Sequence, residues 1–154
     1  MKTFTKWFLL NSVVVTACIL AEQQKKIFSM MISSDISYIC VTIMAAYVVV
    51  SGFLGWMSYL ADRDSSEEVV KKMNQRIDVG WFCAEHFFSL GLLGTIIGLC
   101  AATGESFSDA VSTKQLITGL KVGLHTAFYT TVCGIVFSLP VQIQLMMLKL
   151  KIEK

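Results

Sequence analysis

The sequence predicts an all-α fold, a single membrane domain over residues 1–154 with four transmembrane helices, and three observations carry that reading. Of the 154 residues, 55% are hydrophobic and 16% charged, more apolar side chain than a soluble domain of this size can cover, because a small body has much surface for its volume. The apolar residues gather into four runs separated by polar stretches, as in segments that cross a bilayer. Gly, Thr and Ser recur at helical spacing inside the last two runs, where membrane helices approach one another closely.

The first run, about 7–23, follows the basic start at Lys2 and Lys6 and is interrupted by Asn11, Ser12 and Thr16. It is short against the roughly 20 residues a span needs, and Val15-Thr16-Ala17-Cys18 resembles a lipoprotein cleavage box, so a secretory signal is its rival. We read it as a retained span that continues past Glu22 into water. Residues 22–35 form a polar connection with an apolar island at 27–32. The second run, 36–60, carries Tyr38 at one end and Trp56 and Tyr59 at the other, spaced for the two interfacial belts. In the charged connection 62–78, Ser65 and Glu68 read as a capping box, and Glu67–Lys71 and Glu68–Lys72 as i,i+4 pairs, which predicts a short exposed helix. The third run spans 80–102, a polar turn follows at 103–115, and the fourth run, 116–147, would measure roughly 48 Å as a helix. That exceeds the ~30 Å hydrocarbon core, so the last helix is expected to extend into the cytoplasm, with Pro140 bending or marking that half.

Four spans place both termini on one side. Lys2, Lys6, Arg63, Lys71, Lys72, Arg76, Lys149, Lys151 and Lys154 fall on that side, against Lys25, Lys26, Lys114 and Lys121 opposite, and the positive-inside rule then makes both termini and the 62–78 loop cytoplasmic. A net charge of +2, with no basic run interleaved with aromatics, argues against nucleic acid. Cys18, Cys40, Cys83, Cys100 and Cys133 all fall in apolar stretches without metal-ligand spacing and read as small buried hydrophobes. No nucleophile and base pair, phosphate loop or metal cluster argues for an enzyme, and no cofactor or metal is expected.

The chemistry-bearing stretch is 89–142. Gly91, Gly94 and Gly98 set small surfaces along one side of a helix with Thr95 among them. On the next run Gly123, Thr126, Thr130 or Thr131, Gly134 and Ser138 recur every three or four residues, lining one face. A lane of this kind admits close neighbours and offers hydrogen bonds where lipid offers none. It belongs to a helix that faces a bundle interior or a pore.

The run Leu90-Gly91-Leu92-Leu93-Gly94-Thr95-Ile96-Ile97-Gly98, followed by Thr131-Val132-Cys133-Gly134 and Ser138-Leu139-Pro140, resembles the MotA/TolQ/ExbB family of proton-channel subunits. The resemblance implies a homo-oligomeric, pentameric bundle in the bacterial inner membrane, surrounding single-pass partner helices of the MotB, TolR or ExbD type, each with an essential transmembrane Asp. Proton motive force would drive rotation of, or force on, that partner. Thr95 and Thr131 match the family's pore-lining threonines, and Thr126 and Thr130 join them in the candidate ion pathway. Gly91, Gly94, Gly98, Gly134 and Pro140 are the candidate packing and hinge positions. Where TolQ and ExbB members carry a Glu, five residues before the threonine matched by Thr131, this chain has Thr126. Four spans with cytoplasmic ends look like the MotA branch, but 62–78 replaces its large cytoplasmic domain.

Each residue also has a plainer reading. The threonines can bond their own backbone four residues back, and the glycines can serve packing alone. His125 is a candidate proton relay, weighed against snorkelling at the interface. Glu85 is another, placed with His86 at the cytoplasmic start of the third span, where contact with lipid head groups is the favoured alternative. Two other classes compete: a small four-span antiporter, which needs an acid in mid-span, and a holin-like or structural membrane protein, in which threonine-to-valine changes are silent.

Overall fold

The computed structural model describes residues 2–35, 37–63, 66–104 and 113–152. Its elements are all helices: α1 (Thr3–Lys25), α2 (Ile27–Ser34), α3 (Ile39–Arg63), α4 (Glu67–Gly104) and α5 (Thr113–Ile152). Four of them are long and apolar enough to cross a membrane, over Thr3–Gln24, Ile39–Arg63, Val69–Gly104 and Ile117–Ile152.

The charged connection takes a different form from the separate short helix that its capping signals predict. Residues 67–78 are the first turns of α4, which runs 38 residues and passes through Gly80 without a break. The segment holds no Pro, and Met73 and Ile77 carry the apolar stripe of α4 down into it, both buried; burial of that stripe, rather than local capping, continues the helix. The predicted Ser65–Glu68 capping box and most of the predicted turn at 103–115 lie outside the described residues. Pro140 does not end α5, and Val141, Leu145 and Leu148 beyond it are fully buried.

Packing partners set the layers. Antiparallel α4 and α5 form a hairpin, with Ser138 Oγ donating to the Ala84 carbonyl at 2.8 Å. Helix α3 packs against both members of the hairpin, with Arg76 5.7 Å from the centre of the Phe53 ring, and runs parallel to α5: Cys133 Sγ meets the Cys40 carbonyl at 3.7 Å, the Tyr47 and Phe137 rings sit 5.0 Å apart, and Ser51 Oγ donates to Gln144 Oε1 at 3.2 Å. Helix α1 lies outermost against α3, with Phe8, Leu9, Val13, Ile19 and Leu20 exposed.

Polar pins hold that outer helix. The Phe4 N–H donates to the Asp62 carboxylate at 2.9 Å, Trp7 Nε1 donates to the Ser51 carbonyl at 3.0 Å, and the Trp7 ring occupies the space that a side chain at position 55 would fill. One turn on, Asn11 Oδ1 accepts from Ser51 Oγ at 2.8 Å, Tyr47 Oη at 3.1 Å and Gln144 Nε2 at 3.4 Å. One side chain thereby joins α1, α3 and α5 where lipid would leave each of those groups unbonded.

Carboxylates close the two short connections. Glu22, from the last turns of α1, accepts from the Phe28 N–H at 2.9 Å and the Ser29 N–H at 3.2 Å, capping α2 across the left-handed Lys26. Asp35 is buried and accepts from the Ser37 N–H at 2.9 Å and the Cys40 N–H at 2.7 Å, so it satisfies the orphan donors at the start of α3.

Candidate functional site

The seam between α4 and α5 is the closest helix contact in the hairpin, and glycine makes it so. A methyl group added at Gly98 would stand 2.6 Å from the Ala127 nitrogen and the Gly123 carbonyl oxygen, and one at Gly134 would stand 2.7 Å from the Phe87 carbonyl oxygen. Backbone therefore meets backbone over more than two turns. Gly91 and Gly94 face Thr130 across the same seam. Four of the five predicted packing and hinge positions lie there, while Pro140 is half-buried one turn below Phe137.

Helical rotation separates the four threonines. Thr126 and Thr130 are 0% exposed; Thr130 faces Gly91 and Gly94 inside the seam, and its Oγ donates back to the Thr126 carbonyl at 2.8 Å and to Ala127 at 3.1 Å. Thr131, one residue on, is turned about 100° from Thr130 and lies at the edge of the seam, half-buried. There its hydroxyl meets that of Thr95 in a direct hydrogen bond. Thr95 Oγ also reaches the Gly91 carbonyl at 3.1 Å and the Ala127 carbonyl at 3.2 Å, and Thr131 Oγ reaches the same Ala127 carbonyl at 3.0 Å. With one proton each, the two hydroxyls make two of these bonds at a time, and the pair keeps acceptor capacity for a further donor.

The pair lies on the side of the hairpin away from α3. Cys133, Phe137 and Gln144, which touch α3, stand about 120–160° around α5 from Thr131 at 100° per residue. On α4, Thr95, Leu99, Leu92 and Glu85 fall within an arc of about 80°, and Leu92, Leu99 and Glu85 are exposed. Phe128, Ile135 and Leu139 continue that open face on α5, with Gln142 Nε2 donating to Ser138 Oγ at 3.0 Å lower down.

Glu85 and His86 follow Ala84, whose carbonyl is bonded to Ser138, one residue from Phe137, whose ring lies 5.0 Å from that of Tyr47 at a 50° tilt; both are exposed. His86 Nδ1 pairs with the Phe82 carbonyl at 2.7 Å. His125 is half-buried against Tyr129, ring centroids 5.6 Å apart, on the turns of α5 beyond the start of α3. Of the cysteines, Cys40 and Cys133 are buried, but Cys100 is exposed. Sequence reasoning missed Asn11 and Gln144, whose one signal was a polar amide inside each apolar run.

Fold and seam together define a polytopic helical membrane protein whose polar groups are gathered along one tightly packed hairpin. Residues 58–154 match the family model described as the MotA/TolQ/ExbB proton channel family, and the chain belongs to that family. No curated protein and no solved structure matches it. Membership supports a proton-conducting, motor-type role in general and sets the chain among channel-type proteins.

Proposed function

We propose that this chain is the proton-conducting subunit of an inner-membrane ion-driven motor, a homopentamer that turns the open face of its α4–α5 hairpin toward a central single-pass partner carrying a transmembrane Asp. The observation that carries the reading is the Thr95–Thr131 hydroxyl pair at the edge of the seam, on the face that α3 leaves uncovered. Hydroxyls at that edge can hold a water or receive the hydrogen bond of a protonated carboxyl, and release it when the partner moves on. Thr126 and Thr130, both fully buried, support the pair from behind. Both termini lie on the cytoplasmic side in this reading, and the charged first turns of α4 and the basic last turns of α5 project there.

Thr131→Val tests it. The substitution keeps the volume and removes the hydroxyl, so proton uptake by membrane vesicles containing the chain with its native partner should be lost, whereas Thr131→Ser should conduct. Wild-type uptake in the valine variant would remove the mechanism.

A further inference from the structure

Cys40 and Cys133 differ from the other three cysteines in being fully buried and in facing one another. They are 0% and 1% exposed, one on α3 and the other on α5, so both side chains lie within the contact between those helices. There Cys133 Sγ donates to the Cys40 carbonyl at 3.7 Å, and the Cys40 thiol interacts with the Cys133 thiol. The two residues are 93 positions apart, and only the fold brings them together.

Their place in the fold gives the meeting a use. Trp7 and Asn11 pin α1 to α3, so whatever holds α3 to α5 holds the whole peripheral layer to the hairpin. That contact consists of side chains such as the Tyr47 and Phe137 rings and the Ser51–Gln144 bond. Cys40 lies in the first turn of α3, where the Asp35 carboxylate accepts from its N–H at 2.7 Å and fixes the turn. In the topology proposed above, this end of α3 opens toward the outer, oxidising side of the membrane. The remaining thiols are less favourably set: Cys18 on α1 approaches Cys133 but is half-buried, Cys83 is half-buried, and Cys100 is exposed.

We infer that Cys40 and Cys133 are a disulfide-forming pair, a modification site that takes a disulfide as its oxidant and fastens the α1–α3 layer to the hairpin. One cysteine, as its thiolate, attacks a sulfur of the incoming disulfide R–S–S–R, forming a mixed disulfide and releasing RS⁻. The second thiolate attacks the protein sulfur of that mixed disulfide, forming the Cys40–Cys133 bond and expelling the other RS⁻. Two electrons pass from the cysteines to the reagent, and the two protons the cysteines give up end on the two released thiols. The link closes a long loop of chain and restricts the unfolded state accordingly. The pairing stands apart from the channel reading; only the side of the membrane is taken from it.

The test treats the full chain in native membrane vesicles with dithiodipyridine, an apolar aryl disulfide, until exposed Cys100 carries the pyridylthio group. The sample is then denatured in sodium dodecyl sulfate with N-ethylmaleimide, and its peptides are mapped by mass spectrometry without reduction. The expected result is a joined Cys40 and Cys133 peptide pair, two hydrogens lighter than the sum of its parts, that takes no maleimide and separates with dithiothreitol. The unfolding midpoint of the solubilised protein in sodium dodecyl sulfate rises on oxidation and falls back on reduction. Cys133→Ser, which keeps a hydroxyl donor for the Cys40 carbonyl, shows neither the link nor the shift, and Cys40→Ala reads the same loss from the other helix. Maleimide or separate pyridylthio groups on both Cys40 and Cys133 after Cys100 has reacted overturn the inference. So does a Cys18–Cys133 link in place of the expected one, or a midpoint shift of equal size in Cys133→Ser.

Discussion

The α4–α5 seam and the α1–α3 contact are two solutions to holding helices together without help from water. In the seam, glycine lets backbones meet, and threonine hydroxyls bond carbonyls across and along the helices. Outside it, α1 presents between its polar ends a mostly apolar surface, broken by Ser12 and Thr16, and is held by a few side chains, Trp7, Asn11 and the Asp62 carboxylate. The seam has no slack, because its contacts involve main chain that cannot move aside. The outer contact is made of side chains that can be exchanged one at a time. A subunit that must hold a polar pair in fixed geometry while its periphery meets lipid has reason to be built this way.

The comparison breaks most readily at Gly98. Gly98→Val places carbon against the Ala127 nitrogen and the Gly123 oxygen, and overpacking of that kind is expected to cost about 3 kcal/mol, read as a lowered midpoint when the detergent-solubilised protein is unfolded in sodium dodecyl sulfate. The outer layer should yield less. Asn11→Leu removes the acceptor that joins Tyr47, Ser51 and Gln144 and should cost about 1 kcal/mol in the same titration, given the modest worth of hydrogen bonds between membrane helices.

Thr131→Val sharpens the contrast between structure and function. Its stability change should stay below about 1 kcal/mol, since hydroxyl bonds in membranes average less than that, while proton uptake is lost. The smallest effect is expected on the exposed face of α1, where Val13→Ala should shift the unfolding midpoint by no more than about 0.5 kcal/mol. A cost there comparable to that of Gly98→Val would mean that α1 is covered by another protein surface.

Much of the seam was legible in the sequence, and the reason is periodicity. Gly91, Gly94, Gly98 and Gly134 announce themselves as small residues at helical intervals, and only a close neighbour gives that spacing a use. Their partners were less legible. Thr130 and Thr131 are adjacent letters, yet one turns into the seam and the other to its edge, because the direction of a side chain depends on where α5 contacts α4 and not on the run of hydroxyls itself. The continuity of α4 through its charged first turns went unread because local capping signals spoke for a separate element, while buried Met73 and Ile77 favoured extension. Glu22 and Asp35, which cap the next helix from five to seven residues away, follow no simple short-range pattern.

The account stands on which way the hairpin's open face looks in the assembled membrane complex. A cryo-electron microscopy projection and map of the purified complex, viewed down the membrane axis, measures this directly. The expected result is five copies surrounding central helical density, with Thr95, Thr131 and Glu85 turned inward toward it. An assembly in which those three residues point outward into the lipid or detergent belt would contradict the account.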